Sequence, residues 1–255
     1  MINAGWRSNR FLGLSALGSL LALILGCTPS HPQSTFDTLG PVAKSQLDLF
    51  YLIFWVAVVV FIAVGGAFLY AAIRYRRRRG QGDPEQTHGN TKLEIVWTVI
   101  PAIVLIAIAI PTIITIFDNA DAPILPKDGG LLIEATGHQW WFEFRYPDSD
   151  VVTANEMHIP VGEPVTVNLD SVDVIHSFWI PKLAGKVDMV PNNPNHLWLM
   201  ADEPGVYYGQ CAEFCGISHA NMRFKVIAQP RAEFDAWLLA QAALPFEPVD
   251  PLAIE

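Results

Sequence analysis

The chain has 255 residues, which is enough for one globular domain with additional segments. Its mean hydropathy of +0.30 and its 51% of hydrophobic residues argue against a fully soluble protein, and the apolar excess lies in the first half, which indicates membrane segments. The formal net charge is −9, and the stretch from residue 118 onward has seven basic and twenty acidic residues.

Residues 1–26 have the order of a secretory signal peptide. Arg7 and Arg10 precede a long apolar run, as in the basic and hydrophobic regions of such signals. The run ends in Leu-Ile-Leu-Gly-Cys27, which resembles a bacterial lipobox, in which cleavage before the cysteine leaves it lipid-modified. We therefore predict a lipoprotein signal with Cys27 as its lipidated residue. A plain signal peptide or an uncleaved anchor is the alternative.

Two uncharged runs predict a transmembrane helical hairpin at residues 47–118, after a polar extracytoplasmic lead at residues 27–46. The runs cover residues 49–73 and 95–117. At 1.5 Å of rise per residue, each is long enough to cross the hydrocarbon core with some tilt. A buried hairpin of a soluble protein is the alternative, but both runs are longer than such a hairpin needs.

The segment between the two runs sets the predicted topology. Residues 74–92 contain five arginines and Lys92, whereas the outer flanks have Lys44 on one side and Lys127 on the other. The positive-inside rule places this loop in the cytoplasm, and the N-terminus and everything after residue 117 outside. Topology is a sufficient explanation of the arginines, so no nucleic-acid partner is predicted.

Beyond residue 117 the pattern changes to short runs rich in β-branched and aromatic residues, separated by turn residues. Several such runs predict an all-β sandwich or Greek-key barrel at residues 119–229, which we call the head. A short helix is predicted at residues 230–243, within a C-terminal segment at residues 230–255. The predicted strands cover residues 131–136, 139–146, 164–169, 174–180, 196–200, 205–209 and 222–228.

Residues 211–222, the ligand segment, carry a soft set of metal ligands. Cys211 and Cys215 are four residues apart, and His219 and Met222 follow. Thiolate and imidazole suit copper or zinc, and the thioether favours copper, because methionine recurs as a weak ligand in cupredoxin sites. A disulfide between the cysteines is the alternative. It would close a small loop that stabilises little, and it would leave the spacing of His219 and Met222 unexplained.

A distant histidine completes the predicted site. Two thiolates can bridge two copper ions if a further nitrogen ligand comes from elsewhere, and His176, on a predicted strand, is the candidate. One ligand on a strand and the others in a late loop is how a cupredoxin holds its metal. We therefore predict that the head is a cupredoxin-like Greek-key sandwich. Histidines 138, 158 and 196 are interpreted as structural residues.

These residues resemble subunit II of the haem–copper cytochrome c oxidases, of the bacterial type that contains copper A. The resemblance lies in Asp-Val-Ile-His176-Ser-Phe and in the run from Tyr208 to Met222, with Cys211 at 35 positions after His176. It extends upstream to Glu-Ile-Val-Trp-Thr-Val-Ile-Pro at residues 94–101 and Gly-His-Gln-Trp-Trp at residues 137–141. Several motifs in the same order are more specific than the cysteine motif alone.

The resemblance implies a dinuclear copper A centre in which the two cysteine thiolates bridge the metals. Each copper would bind one imidazole, and the thioether and a backbone carbonyl would be weak ligands. The side chain of Glu213 would in addition reach a magnesium or manganese ion shared with subunit I. The implied copper ligands are His176, Cys211, Glu213 through its carbonyl, Cys215, His219 and Met222.

The resemblance also implies further roles. Trp140 would be the point of electron entry from cytochrome c, and Asp173 would lie near the docking face, where Arg145 departs from the acid that is common in the family. Glu94 would be the entrance of a proton path, although a solvated residue favoured by the helix dipole is an equal alternative. The expected partners are the haem-bearing subunit I, subunit III and cytochrome c or a similar basic carrier.

The implied function is that of the electron-entry subunit of a proton-pumping terminal oxidase in the bacterial plasma membrane, with the head outside. Electrons would pass to haem in subunit I, where oxygen is reduced to water. Three alternatives are the electron-entry part of nitrous oxide reductase, a copper-delivery protein and a quinol oxidase subunit II. The two-span hairpin argues against the nitrous oxide reductase. The closed ligand set argues against a copper-delivery protein, and the complete set of copper ligands argues against a quinol oxidase subunit.

Overall fold

The computed structural model describes residues 30–77 and 88–244, together with residues 18, 82 and 86. The predicted signal peptide apart from residue 18, Cys27 and the last residues of the C-terminal segment lie outside the described residues. So do residues 78–81, 83–85 and 87 of the predicted cytoplasmic loop. Those predictions therefore stay predictions.

Two long apolar helices form the first half of the described chain. Helix α1 covers Pro41–Arg74 and helix α2 covers Thr91–Asp118, with mean hydropathies of 2.8 and 2.7 in their most apolar windows. Both are long and apolar enough to cross a membrane. The Asn90 side chain caps α2 by accepting hydrogen bonds from two backbone N–H groups of its first turn.

Helix α1 begins six residues before the predicted boundary at residue 47, because its first turn packs on the head. Leu39 N donates to Lys182 O at 2.8 Å, and Asp202 N donates to Leu39 O at 2.9 Å. The Ser45 and Asn119 side chains hydrogen-bond at 2.8 Å and join α1 to the end of α2. The hairpin and the head are thus connected by hydrogen bonds as well as by the chain.

The head is a sandwich of two five-stranded sheets, with strand orders β3-β2-β1-β5-β8 and β4-β10-β9-β6-β7. The pairs β1–β5 and β4–β10 are parallel, and the other pairs are antiparallel. The helix α3 follows at Arg231–Ala242. The strands are β1 Leu131–His138, β2 Trp141–Tyr146, β3 Val151–Ala154, β4 Glu156–Pro160, β5 Val165–Ser171, β6 His176–Trp179, β7 Val187–Met189, β8 Asn195–Leu199, β9 Gly205–Cys211 and β10 Arg223–Gln229.

The predicted fold class is confirmed, since two apolar helices precede an all-β sandwich. The seven predicted strands are all present, and three further strands, β3, β4 and β7, were not predicted. Strand β4 is buried at four successive residues, so it lacks the alternation that indicates a half-buried strand.

Four phenylalanines from both sheets form the centre of the core, namely Phe142, Phe144, Phe178 and Phe224. Phe178 stacks on Phe224 at 4.7 Å between ring centroids, and Phe142 meets Phe224 edge-on at 4.8 Å. Phe142 also lies 6.5 Å from the ring of His176. The aromatic core therefore extends up to the predicted metal ligands and supports them from below.

Phe224→Ala should lower the free energy of unfolding of the metal-free chain by about 3–5 kcal/mol, the cost of truncating a buried phenylalanine. Phe214→Ala is the matched control, because Phe214 is 76% exposed and should change stability by about 0.5 kcal/mol or less. Urea denaturation of the detergent-solubilised chain, followed by near-ultraviolet circular dichroism, measures both. Equal losses in the two variants would show that the four rings do not form the core.

Candidate metal centre

The predicted ligands meet at one end of the second sheet. His176 is the first residue of β6 and Cys211 the last residue of β9, and the two strands pair with Phe178 opposite Cys211. The ligand segment leaves β9 after Cys211 and enters β10 after Met222. Cys211 N donates to Met222 O at 3.0 Å, so the segment is closed at its base by a backbone hydrogen bond.

The donor atoms form a compact cluster. The two sulfurs of Cys211 and Cys215 are 3.8 Å apart, and each lies near one imidazole. Cys211 Sγ is 3.9 Å from His176 Nδ1, and Cys215 Sγ is 3.5 Å from His219 Nδ1. Met222 Sδ is 3.7 Å from Cys215 Sγ. Both cysteines are free, and this separation is far above a disulfide bond of about 2.05 Å.

These distances fit shared metal ions. Metal–sulfur bonds of about 2.3 Å and metal–nitrogen bonds of about 2.0 Å, at a tetrahedral angle, separate two sulfurs by about 3.8 Å and sulfur from nitrogen by about 3.5 Å. The soft donors match copper or zinc, and the thioether matches copper. The backbone oxygen of Glu213 lies 3.2 Å from Cys211 Sγ, where the predicted weak carbonyl ligand is expected.

The two thiols differ in acidity although they are neighbours. Burial opposes ionisation of Cys211, but the hydrogen bond from His176 and others from the backbone outweigh it and lower the pKa of the thiol to about 6. Burial and then the charge of Cys211 raise the pKa of Cys215 to about 12. Two thiolates at this distance repel each other, so a bound cation is needed to hold both ionised.

Asp173 orients His176. The imidazole donates from Nε2 to Asp173 Oδ1 at 2.8 Å, which leaves Nδ1 facing the thiol of Cys211. Partial burial opposes ionisation of Asp173, but hydrogen bonds from His176 and from two backbone N–H groups outweigh it and lower the pKa of this carboxyl. Burial likewise opposes the charged form of His176, but Cys211 and Asp173 raise the pKa of its imidazole. The predicted docking acid therefore also orients a predicted metal ligand.

Trp140 lies directly against the ligand segment. Gln139 and Trp140, joined by a cis peptide bond, form the turn between β1 and β2. Trp140 Nε1 donates to Cys215 O at 3.2 Å, and Gln139 Nε2 donates to the same oxygen at 2.8 Å. The ring of Trp140 is partly exposed. The structure thus brings the predicted entry residue into hydrogen-bond contact with the backbone of a predicted ligand.

Two residues near the site were not predicted. Gln139 and Gly137 are part of the Gly-His-Gln-Trp-Trp motif, which was interpreted through Trp140 alone. A Cβ at Gly137 would lie 2.7 Å from a ring carbon of His176, so the missing side chain lets β1 pack on the imidazole. The motif itself was the available signal, since glycine and an amide beside a functional tryptophan indicate close packing.

Two phenylalanines near the site differ sharply in exposure. Phe178 is fully buried, whereas Phe214 is 76% exposed, and the ring of Phe214 is 5.8 Å from that of His219. Phe178 therefore belongs to the apolar support of the cluster, and Phe214 lies on its outer side.

The remaining predicted residues lie apart from the cluster. Glu94 is in the first turn of α2 and is exposed, so the structure does not bring it to the metal ligands. Within the described residues, the carboxylate of Glu213 is not part of the cluster of groups that could hold a metal. His138 stacks on Trp141 at 4.2 Å, and His158 stacks on Trp237 at 3.8 Å, which is consistent with structural roles.

The fold and the site together define a membrane protein with a cupredoxin-like head and a cluster of thiol and imidazole groups that could hold a metal ion. Two family descriptions match the chain. "Cytochrome C oxidase subunit II, periplasmic domain" matches residues 149–229, and "Cytochrome C oxidase subunit II, transmembrane domain" matches residues 31–114.

Curated relatives extend the match to nearly the whole chain. "Cytochrome c oxidase subunit 2" of Alkalihalophilus pseudofirmus is 44% identical over 252 residues, which is 97% of this chain and 73% of the relative. "Quinol oxidase subunit 2" of Bacillus spizizenii is 35% identical over 237 residues, with 91% and 73% covered. The crystal structure of the periplasmic domain of cytochrome oxidase subunit II of Bradyrhizobium japonicum is 33% identical with a TM-score of 0.43, covering 44% of this chain and 92% of that one.

This chain belongs to the cytochrome c oxidase subunit II family. It is therefore a membrane protein and a subunit of a haem–copper terminal oxidase, which is an oxidoreductase complex. The resemblance that the sequence motifs indicated is confirmed by these matches.

Copper binding to the metal-free chain is expected to release protons near pH 7. The bound form needs both thiolates, and Cys215, with its pKa of about 12, still holds its proton there. Cys211, with a pKa of about 6, is already largely ionised. Apparent affinity should therefore rise between about pH 6 and pH 8, as measured by copper titration against a competing chelator with a pH indicator.

The control for proton release is Cys215→Ala, which should release fewer protons per copper than the unchanged chain. An affinity that does not change with pH would show that the thiols are not ligands.

Proposed function

We propose that this chain is the electron-entry subunit of a proton-pumping cytochrome c oxidase. It would accept electrons from cytochrome c at a dinuclear copper A centre and pass them to the haem of subunit I, where oxygen is reduced to water. The observation that carries the proposal is the spacing of two thiol sulfurs, 3.8 Å apart, each with an imidazole nitrogen within 3.9 Å. Family membership supplies the reaction class.

The residues of the site are arranged to hold the metals rigidly. Cys211 and Cys215 would bridge the two coppers, which when bound take up and release one electron shared between them. Asp173 fixes the ring of His176, and the backbone hydrogen bond from Cys211 to Met222 closes the loop. Such support from outside the ligand set limits movement of the ligands and tunes the metal.

Cytochrome c is the proposed donor, and Trp140 the proposed point of entry. The acidic surplus of the second half of the chain would attract a basic carrier over a distance that depends on salt. Asp173 keeps its side chain 28% exposed, so it can contribute to docking while it holds His176. Arg145 Nη2 lies 3.5 Å from Glu143 Oε1. The guanidinium therefore neutralises part of the acidic surface on β2.

A quinol oxidase subunit is the second candidate, because relatives of that name are 34–35% identical. The complete set of soft donors in this chain favours the copper-containing type, since a subunit without copper does not require two free, buried thiols side by side. Electron donation by a soluble c-type cytochrome rather than by a quinol distinguishes the two.

The finer assignments follow from the same resemblance. Cys27 would carry lipid, Glu94 would lie at the cytoplasmic entrance of a proton path, and the loop at residues 74–92 would face the cytoplasm of a bacterium. The Glu213 carboxylate would bind magnesium or manganese together with groups of subunit I, which suits a hard cation with oxygen ligands from several sources. Subunit III would complete the complex.

The copper-loaded chain is expected to contain two coppers and to be purple, with an electron paramagnetic resonance signal split by both nuclei. Cys215→Ser should abolish this mixed-valence signal, because one thiolate bridge cannot hold both metals. Ser218→Ala, within the same segment, should retain it. A blue spectrum from a single copper, or binding of zinc instead of copper, would contradict the dinuclear assignment.

Asp173→Asn should weaken association with a basic cytochrome c by about two- to fivefold and flatten its salt dependence, because a charge at the edge of an interface contributes up to about 1 kcal/mol. Steady-state kinetics at several ionic strengths measure this. Glu163→Gln is the matched control, since Glu163 is an exposed acid paired with Arg231. If both variants change the kinetics equally, general charge rather than Asp173 governs docking.

A further inference from the structure

We propose that Gln139 is a positioning residue that holds Trp140 against the backbone of Cys215 and so governs electron transfer into the metal centre. This inference rests on the proposed entry of electrons at Trp140. It adds a role for Gln139. This residue is exposed, but the amide group of its side chain contacts the ligand segment.

Gln139 is linked by hydrogen bonds to the surroundings of two predicted metal ligands, His176 and Cys215. Its backbone N–H donates to Asp173 Oδ2 at 2.7 Å, and the other oxygen of that carboxylate holds His176. Its side chain donates to Cys215 O at 2.8 Å. Gln139 therefore connects Asp173, which orients His176, to the backbone of Cys215, a proposed bridging ligand.

The carbonyl of Cys215 is the point where Gln139 and Trp140 meet. It accepts the Gln139 amide at 2.8 Å and the Trp140 indole at 3.2 Å, so the amide makes the shorter of the two hydrogen bonds. The next residue, Gly216, has φ +121°, and a Cβ there would lie 3.1 Å from Gln139 Nε2 and 3.2 Å from Trp140 Nε1. Both side chains are thus packed tightly on this peptide.

Loss of the Gln139 amide would leave the indole with the weaker hydrogen bond alone. The removal of one of two donors frees the Cys215 peptide to rotate and the ring to move away from it. Electron transfer falls steeply as the gap between two groups widens, so movement of the ring away from the Cys215 peptide slows it. The contact at Cys215 O is consequently the place where the proposed route is most sensitive.

The test compares Gln139→Met with the unchanged chain in the assembled membrane oxidase. Methionine keeps the length of the side chain but has no donor. With soluble basic cytochrome c as reductant, the rate of copper reduction at saturation should fall on the order of tenfold or more, at an unchanged half-saturating concentration. Copper content, the resonance signal and reduction by ascorbate with a small mediator should stay the same. Gln229→Met, which removes an amide beside His158, should change none of these.

Trp140→Phe, which removes the indole N–H, separates failure of this inference from failure of the proposed route. If Trp140→Phe slows reduction and Gln139→Met does not, Gln139 has no positioning role and the inference is overturned alone. If neither slows reduction, the proposed entry at Trp140 fails with it. If Gln139→Met lowers copper content or slows the small mediator as well, Gln139 is a structural part of the metal site, which also overturns the inference.

Discussion

The pairing of β6 with β9 is the constraint on which the site depends. It sets Phe178 opposite Cys211 and so brings His176 to 3.9 Å from the first thiol, across 35 residues of sequence. A slip by one residue would turn the inward face of β6 outward, and His176 would leave the cluster while Phe178 left the core. Ligand placement and core packing are therefore enforced by the same register, and the buried aromatic rings stabilise both.

The metal-free cluster cannot hold both of its thiols ionised near neutral pH. Hydrogen bonds from His176 and the backbone lower the pKa of Cys211 to about 6. Burial and then the charge of Cys211, whose sulfur is 3.8 Å away, raise the pKa of Cys215 to about 12, so the two thiols do not ionise together. A cation removes the conflict and gains from the oriented imidazole that Asp173 holds. The fold thus prepares the donors before metal arrives, because backbone closure at Met222 and the carboxylate at Asp173 do not involve the metal.

Much of this arrangement could be predicted from the sequence, because it depends on the spacing of residues that are close together in the chain. The thiols, His219 and Met222 lie within one short segment, and the apolar runs and most strands have clear periods. The inward turn of Asp173, the outward turn of Phe214 and the amide contact of Gln139 could not be predicted. Each depends on how separate loops meet across the end of the sandwich, which no local pattern encodes. Strand β4 was missed because four successive residues are buried, which removes the alternation that indicates a half-buried strand.

X-ray absorption at the copper edge tests the central claim most directly, because it reports the immediate neighbours of the metal in the copper-loaded chain. The account predicts a copper neighbour for each copper and two sulfurs in the first shell, together with nitrogen from one imidazole. Copper with one sulfur and no metal neighbour would contradict it. In that case the close approach of Cys211 and Cys215 would belong to a mononuclear site, and the proposed sharing of one electron between two metals would have no structural basis.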